Sequence, residues 1–411
     1  MNYQIITYGC QANKSDSERI ASLLEEFGLT PDSNNPDLII INICSIRQSA
    51  IDRALSTAQK MRSSKTKVIL TGCIVDKDLP KMRKLSDYIL RIKELPRWPE
   101  ILNLGKSKLV IDYFKIIPTP ENRFLGYIPI MSGCNNFCTY CVVPYTRGEE
   151  YSRPFGEIIE EAESLVKKGA KEIWLIGQNV SSYRDGKSGL AEVIKEINNL
   201  PGDFWIGFLS SHPKDLNENI LTTVRESEKA MEYINLPVQS GDDFILRKMN
   251  RPYTISEYKR SVATIMEILP EATLSTDIIV GFPNEDQRAF GNTVRLMEDL
   301  KFDMAYISKY SPRAGTNSFV MKNNVAESEK IERQKILTKI LELSALERNK
   351  EMEGGNEVVI VQEKKRGFLF GKTKKYKTVK FKGPESMIGS FVKVKIKKAL
   401  PWRLEAEISQ K

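Results

Sequence analysis

Apolar and polar positions along the first hundred residues follow the rhythm of a parallel α/β unit. Tyr3–Tyr8, Leu38–Ile43 and Val68–Leu70 are short apolar runs, and their composition predicts buried strands. Between the first two, Ser15–Phe27 sets Ile20, Leu23, Leu24 and Phe27 on one helical face. Each strand runs into a cysteine, at Gly9-Cys10, Ile43-Cys44 and Gly72-Cys73. The carboxyl ends of neighbouring parallel strands lie side by side, where ligands usually bind. Three cysteines remote in sequence are therefore expected to meet.

The rhythm lapses over Asp112–Tyr127, which holds Pro118 and Pro120 and reads as a linker. It resumes from Ile128 to Pro312. Strands are expected near Ile173–Ile176, Trp205–Leu209, Tyr233–Leu236, Leu274–Val280 and Met304–Lys309, with helices over Gly156–Lys168, Leu190–Leu200, Ile255–Leu269 and Gln287–Leu300. Repeated βα units predict a partial or full (βα) barrel with its chemistry at the strand carboxyl ends. Glu327–Met352 reads as one long charged helix, with Ile331, Leu337, Ile340, Leu341 and Leu346 as apolar contacts and Gly354-Gly355 as its stop. Beyond it, Glu357–Val361, Lys377–Phe381 and Phe391–Ile396 alternate as strands of a small five-stranded, OB-like β-barrel. The expected fold is α/β in three parts: a small parallel domain over 1–115, the (βα) barrel over 120–350, and the β-barrel over 354–411.

A chain of 411 residues has room for two or three such domains. It has no apolar run of membrane-spanning length, and its start lacks the basic segment and apolar stretch of a secretion signal. A cytoplasmic protein without membrane contact, and a monomer, is expected. Charge adds a partner. The net charge is +9, yet residues 356–411 alone carry 15 Lys and Arg against 5 Asp and Glu. The positive excess thus sits on the C-terminal segment, where it attracts a polyanion and makes binding salt-sensitive. Lys364, Lys365, Arg366, Lys372, Lys374 and Lys375 are the candidate phosphate contacts, interleaved with Phe368, Phe370 and Tyr376. The plainer reading is a solvated basic surface.

Six cysteines and a single histidine, His212, limit the metal chemistry. Disulfides do not persist in a reducing cytoplasm, which leaves packing, catalysis or ligation. Cys134, Cys138 and Cys141 lie in the spacing CxxxCxxC, and three thiolates so close in sequence can wrap one cubane cluster. A [4Fe–4S] cluster then keeps one iron open for a small chelating molecule. A zinc knuckle needs a fourth ligand, and the lone histidine is far away in sequence. Cys10, Cys44 and Cys73 are either three buried thiols or the ligands of a second such cluster; their shared place at strand ends favours the cluster.

The motifs together resemble the methylthiotransferase family of radical S-adenosylmethionine enzymes. Thr7-Tyr8-Gly9-Cys10-Gln11-Ala12-Asn13-Lys14-Ser15-Asp16-Ser17-Glu18, Asn42-Ile43-Cys44-Ser45-Ile46-Arg47 and Thr71-Gly72-Cys73 are similar to its three N-terminal cysteine motifs. Cys134 to Pro154, Leu236-Pro237-Val238-Gln239-Ser240-Gly241 and Thr276-Asp277-Ile278-Ile279-Val280-Gly281-Phe282-Pro283 resemble its radical core, and the basic tail resembles its RNA-binding TRAM barrel. The resemblance spans essentially the whole chain. It implies two [4Fe–4S] clusters, S-adenosylmethionine, and tRNA bound by its anticodon loop. One S-adenosylmethionine methylates sulfur at the second cluster, and another yields the 5′-deoxyadenosyl radical that takes hydrogen from carbon 2 of adenosine 37. No Ser-His-Asp set or carboxylate pair is required, because the cofactors carry the hard step.

Gly133–Tyr145, Gly177-Gln178-Asn179-Val180 and Ser211-His212-Pro213-Lys214-Asp215 are most similar to the branch that acts on N6-isopentenyladenosine. Other branches act on threonylcarbamoyladenosine or on an aspartate of a ribosomal protein, and more often carry an acidic residue where Asn135 stands. Ile43, Ser181 and Ala314 depart from the family pattern without removing a ligand. Gln178, Asp277 and Gly281, at expected strand ends, are candidates to hold S-adenosylmethionine; turn geometry and sheet packing are the plain alternatives. Arg147 and Arg153 read as RNA or cofactor contacts or as ordinary surface ion pairs, and His212 as structural or substrate-lining. The rival class is a non-catalytic RNA-binding protein whose cysteines hold structural metal.

Overall fold

The computed structural model describes residues 1–45, 48–62, 65–105 and 112–409. Ile46 and Arg47 of the second cysteine motif, and Val110 near the expected end of the N-terminal part, lie outside the described residues. The chain forms two compact units. One comprises Met1–Glu161, Ile176–Gln178 and Ser311–Val320; the other comprises Ala162–Leu175, Asn179–Tyr310 and Met321–Lys411.

In the first unit, β1 (Asn2–Tyr8), β2 (Thr30–Pro31), β3 (Leu38–Ile43), β4 (Lys67–Gly72) and β5 (Tyr88–Ile89) pair in parallel in the order β2-β1-β3-β4-β5. All six residues of β3 are buried. Leu38 and Ile40 pack with Ile20, Leu23 and Leu24 of helix α1 (Gln11–Glu26), while Ile39, Ile41 and Ile43 pack with Ile51, Ala54, Leu55 and Ala58 of helix α2 (Gln48–Met61). A parallel strand covered on both faces reads as a continuous apolar run, which is why Leu38–Ile43 is legible as a strand. Each of its aliphatic side chains contributes roughly 1.5–3 kcal/mol by burial.

The expected linker is not free. Phe114 and Ile116 are buried, Asp112 caps the turn by accepting from the Phe114 N–H at 3.1 Å, and Ile116 joins the core around α1. Its apolar residues complete a core, and the two prolines only bound it.

The second unit carries the repeated βα pattern. Trp205–Phe208 pairs in parallel with Glu172–Leu175, and Thr273–Val280 pairs in parallel with both Tyr233–Asn235 and Met304–Lys309. The helix Glu327–Lys350 follows, burying Leu337, Leu341 and Ala345 together with Lys330 and Arg333. Ile331, expected among its apolar contacts, is 39% exposed; the long stems of Lys330 and Arg333 take its place because Glu285 pairs with Arg333 at 2.6 Å inside the unit. The chain ends in a closed five-stranded barrel in the order Asn356–Lys365, Phe368–Thr373, Thr378–Phe381, Arg403–Ile408, Phe391–Leu400. Phe368–Thr373 and Arg403–Ile408 were not among the expected strands, since charged residues and Gly371 dilute their alternation. Tyr376 of the barrel packs on Trp174 and Tyr233, with ring centroids 4.9 and 4.7 Å away.

Candidate functional site

Of the three N-terminal cysteines, Cys44 and Cys73 stand one residue beyond adjacent strands and Cys10 two residues beyond a third. Tyr8 is in register with Ile43, and Ile43 with Gly72. The Cys44 N–H donates to the Tyr8 carbonyl and the Cys73 N–H to the Ile43 carbonyl, both at 2.8 Å, so the ladder extends through the cysteines. Neighbouring strands lie about 4.8 Å apart, which sets Cys44 and Cys73 side by side at the level of Gly9, with Cys10 one residue further on. Gly72 makes the turn possible: its φ is +102°, and a Cβ there would lie 2.3 Å from the Ile43 carbonyl oxygen.

Cys10 is also the N-cap of α1. Its hydrogen bond with Cys44 lowers its thiol to about 6; burial opposes this, and the N–H groups of Asn13 and Ala12 and the Arg147 charge assist. Two buried asparagines tie this helix start to the next strand. Asn13 Nδ2 donates to Asn42 Oδ1 at 2.9 Å, and Asn42 Nδ2 donates to the Asn13 carbonyl at 2.8 Å. Burial raises the Cys73 thiol, while Arg147 pulls the other way.

Cys134, Cys138 and Cys141 occupy a loop of the same unit. The Cys134 N–H donates to the Gly148 carbonyl at 3.2 Å and the Cys141 N–H to the Cys138 carbonyl at 2.9 Å. Gly133 has φ +81°, and a Cβ there would meet the Glu149 carbonyl oxygen at 1.9 Å. Asn136 Nδ2 donates to Cys134 Sγ at 3.4 Å. Burial raises both Cys134 and Cys141, the latter to about 12, with the neighbouring thiols adding to the rise. Asn135 is exposed, and its Oδ1 accepts from the Glu150 N–H at 3.1 Å. An acidic side chain can accept the same bond, so this position holds the loop by a carbonyl or carboxylate oxygen alike.

Arg147 and Arg153 are not surface groups. Arg147 is 7% exposed; its Nε donates to Cys73 Sγ at 3.3 Å and its Nη2 to Asp16 Oδ2 at 2.6 Å. Tyr113 Oη donates to the other Asp16 oxygen at 2.5 Å. Arg153 is 4% exposed and pairs with Glu161 at 2.5 Å, donating also to the Phe114 carbonyl. Glu161 accepts in addition from Arg19 at 2.6 Å. Sequence reasoning missed Asp16, Arg19, Tyr113 and Glu161. The unbroken polar run Lys14–Arg19 resembles an exposed helix face; its only signal was that no apolar residue interrupts it.

The other expected residues are dispersed. Gln178 belongs to the first unit, two residues after Ile176, and its Oε1 is buried without a hydrogen-bond partner among the described residues. Asp277 lies within the strand Thr273–Val280 rather than at its end, and accepts from Asn235 Nδ2 at 3.2 Å. Gly281 follows that strand with φ +71°; the space of its missing Cβ is taken by Lys330 Cγ at 2.3 Å. His212 is buried, its Nδ1 accepts from the Lys214 N–H at 3.2 Å, and burial pushes its pKa far down.

Of the six basic candidates on the barrel, Lys372 is tucked over the Tyr376 ring with Nζ 4.2 Å from the centroid and donates to Thr378 Oγ1. Lys374 and Lys375 pair with Glu232 and Glu271 of their own unit. Lys364 pairs with Glu385 and Lys365 with Glu363 on exposed strand, and Arg366 turns the hairpin at φ +49°. Lys393, Lys395 and Lys398 are exposed on Phe391–Leu400.

The profile of the Radical SAM superfamily matches residues 128–297, that of an uncharacterized family, UPF0004, residues 2–91, and that of the TRAM domain residues 350–409. A tRNA-2-methylthio-N(6)-dimethylallyladenosine synthase of Dictyoglomus thermophilum is 38% identical over 99% of this chain and 98% of its own length. The protein of the same name from Syntrophus aciditrophicus is 39% identical over 98% of this chain and 94% of its own. The chain belongs to the methylthiotransferase family of radical S-adenosylmethionine enzymes. In fold the chain resembles the radical S-adenosylmethionine methyltransferase TsrM of Kitasatospora setae, with a TM-score of 0.57 over 78% of this chain and 77% of that one, at 13% identity.

The Radical SAM family to which the chain belongs implies a [4Fe–4S] cluster and S-adenosylmethionine. The donor set of a methylthiotransferase fits here. Cys134, Cys138 and Cys141 interact electrostatically with one another in a loop tied by backbone hydrogen bonds. Among the described residues, no three His, Cys, Asp or Glu side chains are drawn together as one metal ion requires; a cubane instead takes each thiolate on a different iron.

Proposed function

We propose that the chain is a tRNA methylthiotransferase that places a methylthio group on carbon 2 of N6-isopentenyladenosine at position 37, in the anticodon loop. Cys134, Cys138 and Cys141 hold the cluster that binds S-adenosylmethionine, and Cys10, Cys44 and Cys73 hold a second [4Fe–4S] cluster. The observation that carries this reading is the triad Cys10, Cys44 and Cys73, brought to neighbouring strand ends by the register of β1, β3 and β4. It supplies the sulfur-bearing centre that insertion of a methylthio group requires. When bound, the clusters and S-adenosylmethionine supply the one-electron cleavage, the methyl group and the sulfur. The chain's own residues hold and shield. Asn136 donates to the Cys134 sulfur, and Gly148 anchors Cys134 through its main chain. Gln178 offers a buried amide oxygen to the amino group of S-adenosylmethionine. The β-barrel binds tRNA phosphates through Arg366 and the exposed Lys393 and Lys395, with Lys364 and Lys365 beside their own acids contributing less, and it does so in the cytoplasm, where tRNA is. The division into 1–115, 120–350 and 354–411 assigns one task to each part.

Anaerobic reconstitution with iron and sulfide, followed by reduction with S-adenosylmethionine present, is expected to give about eight irons per chain and 5′-deoxyadenosine. Nucleoside mass analysis of tRNA from cells lacking the protein is expected to show loss of the methylthio group from isopentenyladenosine. Loss from threonylcarbamoyladenosine moves the substrate to the other branch, and loss from neither refutes a tRNA substrate.

A further inference from the structure

Arg147 is a buried basic side chain that donates a hydrogen bond to a cysteine sulfur. It stands six residues beyond Cys141, in the segment that also anchors the first triad: its neighbour Gly148 accepts from the Cys134 N–H. Its side chain, however, reaches the other triad. The Nε donates to Cys73 Sγ at 3.3 Å, and the Cys10 thiol also feels its charge. The guanidinium is buried, and its far side is bound by Asp16, which Tyr113 supports in turn. The arrangement is an oriented ion pair inside the protein. Its positive end faces the sulfur and its negative end points away. A buried pair with an extra hydrogen bond on the carboxylate stays fixed, because separating it leaves an uncompensated charge in low dielectric.

We propose that Arg147 is a positioning residue for the second cluster: its N–H to Cys73 and its charge favour the reduced, more negative state and so raise that cluster's reduction potential, while Asp16 holds the guanidinium and tempers the effect. The inference rests on the two-cluster reading. Its physical basis is general. A cubane held by thiolates gains negative charge on reduction, and hydrogen bonds to its sulfurs together with nearby positive charge set its potential. The main-chain link from Gly148 to Cys134 gives the same short segment a hold on both cysteine sites.

The test uses the full chain with Cys134, Cys138 and Cys141 all changed to Ala, reconstituted anaerobically, so that the second cluster alone is read. About four irons per chain retain the two-cluster reading; loss of all iron refutes that reading. In the iron-containing protein, the midpoint potential is taken by a dye-mediated dithionite titration followed by electron paramagnetic resonance. Arg147→Gln is expected to shift the midpoint down, and Asp16→Asn to shift it up, because the first removes the positive end of the pair and the second the negative end. Arg147→Lys keeps the charge and is expected to fall between Arg147→Gln and the parent. A packing role alone moves Arg147→Gln and Asp16→Asn in the same direction or not at all, and either result overturns the proposal. Should Arg147→Gln fail to bind iron, the sign of the Asp16→Asn shift decides: a downward or absent shift overturns it.

Discussion

Glu161 is the acid on which two buried arginines of the first unit depend, and replacing it by Gln has a calculable consequence. Its carboxylate accepts from Arg19 Nη2 at 2.6 and 2.7 Å and from Arg153 Nη1 at 2.5 Å, and neither arginine is more than 4% exposed. Removing one partner of a buried pair costs about 3–5 kcal/mol, because the remaining charge stays desolvated. The two losses do not add. Arg153 retains Glu157 at 3.4 Å and the Phe114 carbonyl, whereas Arg19 retains, among the described residues, Ser15 Oγ, the face of the Tyr113 ring and the attraction of Asp16, none of them a direct ion pair. Gln also keeps one acceptor. The expected cost is therefore near 3 kcal/mol, carried by Arg19. A single unfolding midpoint is a poor measure for a chain of several parts, so hydrogen exchange resolved by peptide is the suitable assay. Amides of α1 are expected to exchange on the order of a hundredfold faster in Glu161→Gln, since each 1.4 kcal/mol is about tenfold. Those of the closed β-barrel stay unchanged. Asp299→Asn, which breaks an exposed pair with Lys259, serves as the control with little effect. Equal protection of α1 in Glu161→Gln and the parent refutes the argument that Arg19 depends on this acid.

Burial raises the Glu18 carboxyl from 4.5 to about 7, so the folded chain keeps a proton that the unfolded chain has lost. Stability is thus expected to fall as pH rises from about 4.5 to about 7, by at most about 3 kcal/mol, and Glu18→Gln should flatten that slope in urea titrations at stepped pH. Gly281→Ala is expected to destabilise the second unit, because the new Cβ meets Lys330 Cγ at 2.3 Å and φ is +71°; a thermal melt matching the parent counts against this. For tRNA binding, Lys393→Ala with Lys395→Ala should flatten the dependence of affinity on salt by about one to two units of slope. Lys374→Ala with Lys375→Ala, whose charges Glu232 and Glu271 already meet, should flatten it less. The reverse order refutes the division of the barrel's lysines into bound and free.

Local sequence determined much of this protein. The apolar run Leu38–Ile43 is a strand buried on both faces, and its identity as such needs no knowledge of its neighbours. The βα rhythm from Glu172 to Lys309 and the helix Glu327–Lys350 are periodic over enough residues to be legible. The spacing of Cys134, Cys138 and Cys141 lies within one loop, so it could be read directly. That Cys10, Cys44 and Cys73 end three strands was also visible. That those strands are adjacent and level was decided only by sheet pairing, which joins residues some thirty positions apart.

The tertiary structure alone decided the fate of charged side chains. Arg147, Arg153, Asp16 and Glu161 are polar in any sequence window, and charged residues are ordinarily exposed. They are buried here because partners up to 142 positions distant satisfy them. The same holds in reverse for Lys372, which a charge count places on phosphate and the fold places over the Tyr376 ring. Composition fixes how much charge a segment carries; whether that charge meets water, a ring or an opposite charge depends on contacts that only the folded chain makes.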